Sequence, residues 1–447
     1  MNAISNHSRV LIPLLWVALV AAACGSTPAV VGQAPSPTIQ PSAVASPAVA
    51  SPAVASPEPS VVPAPPASPA PAPAATPKPG SPTKGLSAPA KPAPPVPTVW
   101  SKARVALSGQ CFSPAATVDQ QGAYHLVAMC GTHVRYATSK DGRSWRTGTF
   151  ARPARHHDVS PQIAVDGSRL YVAFNRLRET DGGCGDDGLE DVGVYYRSRT
   201  LPAGAWSGAI RIGAAGDHLQ SFRVVGGVIH ETYASGDGPG SVSYASVADG
   251  RFRSVTIPGA AETSLRIGDD GRARIAYTAG DSVNYAVVGR DGALSTRTVF
   301  KSRDMHLTSP SLVLGAGDRA YLAWSAHELW GGGCADGADP VSKPGTYVGT
   351  DASGTWQVRR VSKVVADPSL TLDVERGRLS VVIGTPSGAR EMTRRANGAW
   401  SGAQIPRTRG MEQFVLRRDG VSGHLLLVGT RWSSSGDKVE IVAFVKS

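Results

Sequence analysis

Histidines and carboxylates recur at one kind of position in this sequence, just before or at the start of short segments in which apolar residues alternate with polar ones. Such side chains hold divalent cations and move protons near neutral pH. If the segments are strands that converge on one opening, these residues would line a cation site or a polar ligand pocket there. The alternative is that each acid only accepts hydrogen bonds within its own turn. The candidates are His157, Asp158, Asp217, His218, Glu262, Asp304, His306, Asp367 and Glu412.

Two loops of similar sequence carry a second set of acids. Tyr171-Val-Ala-Phe is followed by Gly-Gly-Cys184, and Tyr321-Leu-Ala-Trp by Gly-Gly-Cys334, at the same offset of 13 residues. Glycine-rich acidic loops can hold Ca²⁺ through carboxylate and carbonyl oxygens, so Ca²⁺ is the one cofactor that the sequence suggests. No EF-hand spacing is present, and solvated surface charge is the alternative. The candidate ligands are Asp186, Asp187 and Asp336.

The elements that must position these residues repeat along the chain. One phrase begins at residues 114, 161, 220, 263, 310, 368 and 412, with apolar residues two and four places later, such as Leu265 and Ile267 or Phe414 and Leu416. A turn rich in Gly or Asp follows, then further strands, the last often opened by an aromatic such as Trp206. Alternation with a period of two around tight turns is typical of antiparallel strands.

The seventh unit lacks its fourth strand, but a matching strand stands far upstream. Trp100-Ser101 resembles Trp206-Ser207 and Trp400-Ser401, which open fourth strands elsewhere. Seven four-stranded units, closed by pairing of the first strand into the last unit, predict an all-β fold: a single seven-bladed β-propeller over residues 99–447. Six blades are the alternative if one unit is misassigned. A pair of β-sandwiches is another, although it would not explain the match between the two ends.

The first 23 residues have the features of a secretory signal: Arg9, an apolar run from Val10 to Ala23, and small residues before Cys24. The cysteine after small residues resembles a bacterial lipobox, which implies that Cys24 is lipidated and becomes the first mature residue. Plain secretion after Ala23 and an uncleaved anchor are the alternatives. We expect the protein outside the cytoplasm, anchored to the bacterial cell membrane as a lipoprotein.

Residues 24–98 differ in composition from the rest of the chain. They hold most of the 35 prolines, together with Ala, Ser and Val and very few charges. This composition cannot bury enough apolar surface to offset the entropy of ordering, so we predict a disordered, extended spacer. Of the formal net charge of +11, Arg9 contributes one positive charge and the spacer two, which leaves +8 for residues 99–447. A basic extracellular surface suits anionic glycans or wall polymers better than nucleic acid.

Five cysteines are present, and if Cys24 carries lipid, four remain in an oxidising compartment. Four cysteines allow three pairings. We predict bonds between Cys111 and Cys130 and between Cys184 and Cys334. Free thiols or other pairings are the alternatives.

One turn suggests a family. Ser139-Lys140-Asp141-Gly142-Arg143-Ser144-Trp145 resembles the Asp-box of sialidase-like propellers, with Ser139, Asp141, Gly142 and Trp145 at the motif positions and a spacing one residue shorter. In that family the motif is structural: it closes the turn between the third and fourth strands of a blade. The resemblance implies the propeller architecture and little about activity.

Two classes of function are compatible with the sequence, a recognition module and an enzyme. No Gly-x-Ser-x-Gly, His-Glu-x-x-His or P-loop motif is present, so no nucleophile, zinc or nucleotide motif assigns a catalytic residue. The order of anchor, spacer and propeller favours a monomeric, surface-tethered module that recognises a glycan, a cell-wall component or a protein. The alternative is an extracellular glycoside hydrolase of the sialidase-like type, with acids from several blades acting at the mouth.

Overall fold

The computed structural model describes residues 99–447, apart from 182–187, 236–239, 249–250, 329–342, 352–353, 374–377, 396–397 and 434–437. Strand β1 (Arg104–Ser108) stands alone at the start. Every other strand follows in groups of four or three along the chain, and each group forms one antiparallel sheet, or blade. A single short 3₁₀ helix, Ala316–Asp318, interrupts the described strands, and no described helix has the length and apolarity to cross a membrane.

The first three blades share the order first, second, third and fourth strand from the centre outward. Blade 1 comprises β2 (Cys111–Val118), β3 (Tyr124–Cys130), β4 (His133–Ser139) and β5 (Arg146–Thr149). Blade 2 comprises β6 (His156–Asp166), β7 (Arg169–Glu179), β8 (Leu189–Thr200) and β9 (Ile210–Arg211). Blade 3 comprises β10 (Asp217–Val225), β11 (Val228–Ser235), β12 (Ser241–Ala248) and β13 (Arg251–Pro258).

The remaining blades repeat the same order, and the last one recruits β1. Blade 4 comprises β14 (Thr263–Ile267), β15 (Ala273–Ala279), β16 (Ser282–Val288) and β17 (Leu294–Lys301). Blade 5 comprises β18 (Met305–Leu314), β19 (Ala320–Glu328), β20 (Gly345–Thr350) and β21 (Gln357–Ser362). Blade 6 comprises β22 (Ser369–Asp373), β23 (Arg378–Thr385), β24 (Gly388–Arg394) and β25 (Trp400–Gln404). Blade 7 comprises β26 (Met411–Arg418), β27 (Leu425–Trp432), β28 (Val439–Lys446) and β1.

The fold is therefore the seven-bladed propeller that the repeats predict, and the six-blade and sandwich alternatives are wrong. Closure is made by β1 on β28, with Arg104 opposite Ala443 and Ser108 opposite Glu440. Trp100 lies upstream of β1 and pairs with Lys446 through an isolated bridge. First strands of adjacent blades touch all the way round, including β26 against β2, so the blades form a closed ring.

The cores lie between neighbouring blades, because each sheet buries both faces against the next. Trp324 of blade 5 is fully buried and packs in a cluster with Met305 of its own blade and Val283 of blade 4. Nearer the channel, serines tie successive first strands together: Leu312 N–H donates to Ser264 Oγ (3.1 Å), and Leu416 N–H donates to Ser369 Oγ (2.9 Å). These contacts fix which residues of different blades are equivalent.

The predicted bond between Cys111 and Cys130 is confirmed: the two residues face each other across β2 and β3 and form a disulfide. The predicted bond between Cys184 and Cys334 lies outside the described residues.

The turn at Ser139–Trp145 joins the third and fourth strands of blade 1. Asp141 Oδ1 accepts the backbone N–H groups of Arg143 (2.8 Å) and Ser144 (2.9 Å), and Gly142 N–H donates to Ser139 Oγ (2.8 Å). Gly142 has a φ of +66°, and a Cβ atom there would collide with Val445 of blade 7. Both the backbone conformation and the close approach therefore require glycine at this position.

Candidate functional site

The polar residues identified from the sequence lie at one end of the central channel. All of them stand at the start of a first strand or one to two residues before it, in blades 2 to 7. We term this end the upper mouth, and the opposite end, where the first hairpin turns of the blades lie, the lower mouth. Apart from Asp304 and Glu412, the candidates at the upper mouth fall into two clusters, one in blades 2 and 3 and one spanning blades 4 to 6.

Asp158 of blade 2 is neutralised inside the protein. Its two carboxylate oxygens accept hydrogen bonds from Arg176 Nε (2.7 Å) and Nη2 (3.0 Å), and both side chains are buried. The guanidinium of Arg176 also lies 4.8 Å from the ring centre of Tyr195. A buried bidentate pair of this kind orders the loop but leaves no free carboxylate for a ligand.

His157, its neighbour, stays partly exposed. Its Nε2 lies 2.8 Å from Glu179 Oε1 at the end of β7, and the hydrogen bond from His157 lowers the pKa of Glu179. Asp158 thus holds the side chain of Arg176, while His157 presents a polar ring to the mouth.

Blade 3 repeats this division between a buried acid and an exposed histidine. Asp217 is buried, and its carboxylate accepts hydrogen bonds from Ala214 N–H (2.6 Å) and Ser235 Oγ (3.2 Å). His218 is exposed and lies 3.3 Å from Asp191 Oδ2, whose pKa is raised by burial. Asp217 therefore caps its own turn, which is the outcome that the turn-forming alternative describes.

The second cluster brings residues from three blades together on Ser309. The Ser309 N–H donates to Glu262 Oε2 of blade 4, and the Ser309 hydroxyl donates to Asp367 Oδ1 of blade 6. Ser309 has a φ of +54°, the left-handed region, where it occupies a bulge of β18 just before Pro310. Two acids that lie far apart in sequence thus share one residue at the upper mouth.

The two acids of this cluster have different environments. Burial raises the pKa of Glu262, and the charge of Asp367 raises it further. Asp367 is exposed. A carboxyl group whose pKa is raised by burial is able to donate a proton, and the carboxylate of Asp367 lies on the same serine, so this cluster has groups that could transfer a proton.

Histidines flank the same cluster. His306 is exposed, and its ring centre lies 6.5 Å from that of His327 on the neighbouring strand. His327 Nε2 lies 3.1 Å from Thr308 Oγ1, and burial lowers the pKa of His327. The cluster of Glu262, His306, Ser309, His327 and Asp367 is the part of the upper mouth where the candidates from the sequence converge.

The remaining candidates stand apart from it. Asp304 accepts a hydrogen bond from the Ser302 hydroxyl in its own turn, and Glu412 is exposed on β26. Within the described ranges, no group of three or more His, Cys, Asp or Glu residues has an arrangement that could hold a metal ion. The candidate calcium ligands Asp186, Asp187 and Asp336 lie outside those ranges.

Sequence reasoning missed several residues of the upper mouth. Gln413 is one: its Oε1 accepts hydrogen bonds from Ser113 N–H of blade 1 (3.0 Å) and from Thr430 Oγ1 (2.9 Å). An aromatic pair is another, since Trp432, 38% exposed, has its ring centre 5.5 Å from that of Phe112 across the junction of blades 7 and 1. Three first strands have a Ser-Pro pair at the same point, with the serine at residue 113, 160 or 309. This repeated pair was the sequence signal for the bulges.

Comparisons with known proteins support the fold and assign no activity. No family model matches the chain, and no curated protein matches it either. Among solved structures, an ulvan lyase of polysaccharide lyase family 25 bound to a glucuronyl-rhamnose-3-sulfate disaccharide has a TM-score of 0.51 at 11% identity, over 75% of this chain and 94% of the lyase. A catalytically inactive virginiamycin B lyase from Staphylococcus aureus, with quinupristin, has a TM-score of 0.50 at 12% identity, over 77% of this chain and 99% of the lyase.

A sialidase from Trypanosoma rangeli is more distant, with a TM-score of 0.44 at 10% identity, over 76% of this chain and 55% of the sialidase. Identities this low establish a shared architecture and no shared activity. By its own strands and by its similarity to the two lyases, the chain is a β-propeller.

Proposed function

We propose that this protein is a surface-tethered recognition module whose upper mouth binds a glycan or an anionic cell-wall polymer outside the cytoplasm. Cys24 carries the lipid anchor, residues 24–98 form the stalk, and a single propeller presents the mouth. The proposal rests on the difference between buried and exposed polar residues at that mouth. Buried acids there are engaged within the protein, Asp158 by the guanidinium of Arg176 and Asp217 by Ala214 N–H and the Ser235 hydroxyl. His218, His306 and Glu412 remain exposed at the same mouth.

The aromatic pair at the upper mouth favours a glycan over a protein as the ligand. Trp432 presents a partly exposed apolar ring at the same end of the propeller as Glu412 and the exposed histidines. Sugars combine an apolar ring face with hydroxyl groups, so they suit a site that has an exposed aromatic side chain beside polar ones. A protein ligand would need a larger apolar surface than one tryptophan offers.

The test is glycan binding by the purified protein and by two aromatic variants. Trp432→Ala should weaken binding to the preferred glycan by about tenfold or more, which corresponds to the ~1–2 kcal/mol of one buried aromatic contact. Phe252→Ala is the matched control, because Phe252 is 50% exposed on the outer strand β13, away from the mouth. Equal losses in both variants, or no saturable binding to glycans or wall polymers, would contradict the proposal.

A hydrolase is the second candidate, favoured by the pair of acids on Ser309. Glu262, with its raised pKa, would protonate the leaving oxygen, and Asp367 would act as the base or nucleophile. A screen with glycoside substrates decides between the two functions. Turnover that is lost in both Glu262→Gln and Asp367→Asn would establish the hydrolase, whereas saturable binding without turnover would establish the module.

A further inference from the structure

Three arginines occupy equivalent positions on the first strands of blades 3, 4 and 7. Each follows a fully buried apolar residue: Arg223 follows Phe222, Arg266 follows Leu265, and Arg417 follows Leu416. The serine contacts between first strands give the register of blade 7. Ser369 binds the N–H of Leu416 in the next blade, just as Ser264, which precedes Leu265, binds the N–H of Leu312 in its next blade. Leu416 is therefore equivalent to Leu312, and by the repeat to Leu265. We term Arg223, Arg266 and Arg417 the channel arginines.

The channel arginines also share one side-chain conformation. In each, Nη1 donates to the carbonyl oxygen of the preceding residue, at 2.6 Å for Arg223 and 2.8 Å for both Arg266 and Arg417. Arg417 Nε donates in addition to Ala116 O on the first strand of blade 1, 2.7 Å away. Since a first strand pairs with its own blade on one edge only, carbonyls that accept these bonds lie along the edge that faces the channel. The guanidiniums are therefore held at the inner wall of the ring.

Their positive charges have no counterion in the described part of the chain. Carboxylates pair with many other arginines of the protein, such as Arg176 and Arg274, but none of the channel arginines forms an ion pair there. Burial lowers the pKa of Arg223 to about 9, with a further contribution from the charge of Arg417, and burial lowers the pKa of Arg417 to about 10. Two guanidiniums on different blades thus repel each other inside the channel, an arrangement that costs free energy unless an anion joins it.

A cavity of about 520 Å³ at the lower mouth lies next to this region, and its lining includes Val224, the neighbour of Arg223 in sequence. Its wall is largely apolar, with Val118, Val165 and Val224 at the ends of three first strands and Val421 beyond a fourth. Val224 directly follows Arg223, so the cavity ends about one residue, roughly 3.3 Å, from the level of the channel arginines. Val225 (46% exposed) and Val421 (67% exposed) extend the apolar surface outward at the rim.

Two carboxylates also line the cavity, and both are engaged. Asp119 accepts hydrogen bonds from Gln121 N–H (2.9 Å) and Ala123 N–H (2.8 Å) and contacts His125 Nε2 (3.0 Å). Asp166 Oδ2 accepts a hydrogen bond from Gly227 N–H (2.6 Å). Asp119 therefore closes its own turn, Asp166 binds the first hairpin of blade 3, and neither has a recorded contact with a channel arginine among the described residues.

We propose that the channel arginines form an oxyanion site, which takes one sulfate, phosphate or carboxylate group carried by an apolar body that lies against the valines of the lower mouth. Guanidiniums bind oxyanions through charge-assisted hydrogen bonds, and their free N–H groups are available for this. The ligand class is a small amphiphilic anion. This site is separate from the upper mouth and from the glycan function proposed for it.

Calorimetric titration of the full-length protein with three small probes tests the site. Hexyl sulfate and hexanoate have the same tail length with two different oxyanions, and hexyl glucoside has that tail without a charge. We expect one hexyl sulfate or hexanoate to bind per chain, and inorganic sulfate to compete with it. Binding of hexyl glucoside as tight as that of hexyl sulfate, or no binding of either anion, would overturn the proposal. Tighter binding of one anion identifies the oxyanion that the site prefers.

Variants assign the binding to the arginines. Arg223→Gln and Arg417→Gln should each weaken hexyl sulfate binding by about tenfold or more, since each removes charge-assisted hydrogen bonds. Arg297→Gln, on the exposed strand β17, is the matched control and should change the affinity less than twofold. Arg417→Lys keeps the charge and should retain part of the affinity. If a Gln variant does not fold, competition by inorganic sulfate in the wild type still decides, because failure to displace hexyl sulfate excludes an oxyanion site.

Discussion

The upper mouth and the channel arginines differ in how their charges are compensated. At the upper mouth, acids and histidines are numerous, and the buried ones have partners within the protein, as Asp158 has Arg176. Toward the lower mouth the acids are paired in the same way, as Asp270 and Asp318 are with Arg274, but the channel arginines have no carboxylate partner in the described residues. The number of polar residues in a region therefore does not indicate where a ligand is needed. The unpaired groups do, and the predictions below test that distinction.

The largest expected effect comes from Glu231, a buried acid without a partner beneath the upper mouth. It is fully buried on β11, neither carboxylate oxygen has a hydrogen-bond partner among the described residues, and burial raises its pKa to about 8, with Asp217 adding to the rise. A pKa raised above the unfolded value near 4.5 gives stability that is present below pH 4.5 and is lost as the pH rises through 8.

Glu231→Gln should therefore flatten this pH dependence. We expect the variant to be more stable than the wild type at pH 9 by about 4 kcal/mol, measured by chemical denaturation, and to have similar stability at pH 4. Glu412→Gln, an exposed acid on β26, is the control and should follow the wild type. A wild-type stability that does not fall between pH 5 and 9 relative to Glu231→Gln would show that Glu231 has a partner after all.

Breaking the buried pair of the upper mouth should have the next largest effect. Asp158→Asn leaves Arg176 buried without a charge partner, which we expect to reduce the free energy of unfolding by about 3 kcal/mol. Urea denaturation measures the loss. A change in the free energy of unfolding below about 0.5 kcal/mol would mean that the pair does not stabilise the fold, and Asp158 would again be a candidate for ligand binding.

A channel arginine should respond in the opposite direction. In the absence of any ligand, Arg223→Gln removes repulsion with Arg417, so we expect the variant to be more stable than the wild type by about 1 kcal/mol. Thermal unfolding in a buffer without sulfate, phosphate or carboxylate measures the shift. Destabilisation instead would show that Arg223 already has a compensating partner, and the contrast between the upper mouth and the channel arginines would fail.

The smallest effect is expected at an exposed pair near the upper mouth. Arg178 and Glu190 form an ion pair with about half of each side chain exposed. Arg178→Gln should change the free energy of unfolding by about 0.3 kcal/mol, since solvent screens the pair. The same urea series that contains Asp158→Asn provides the comparison, and a loss as large as that of Asp158→Asn would erase the difference between buried and exposed pairs.

The sequence was sufficient to predict the ring because the fold depends on a repeated pattern. Alternation, turns and the match of Trp100 with Trp206 and Trp400 are all local signals, and they sufficed for blade number and closure. One unit was placed wrongly in register. The seventh phrase begins two residues later than expected, because a bulge at Gln413 makes Leu416, and not Phe414, the equivalent of Leu370.

Because of this error in register, the sequence did not show that Arg417 is equivalent to the other two channel arginines. Arg223 and Arg266 stand out in the sequence at the same strand position, but Arg417 joins them only in the corrected register. The partners at the upper mouth were out of reach for a different reason. Glu262 and Asp367 meet on Ser309 from 47 and 58 residues away, and Asp158 meets Arg176 across a hairpin. Which long side chains meet depends on bulges and rotamers, which a one-dimensional pattern does not encode.

Ring closure also sets where the propeller can be cut. Residues 99–108 supply the outer strand of blade 7, and Ser101 alone makes two hydrogen bonds with Val445, through its N–H (2.8 Å) and its hydroxyl (3.0 Å). An expression boundary placed after Ser108 would leave the N–H and C=O groups of β28 as an open edge, which recruits strands from other molecules and promotes aggregation. The minimal soluble fragment therefore begins before Trp100, several residues upstream of the first regular strand.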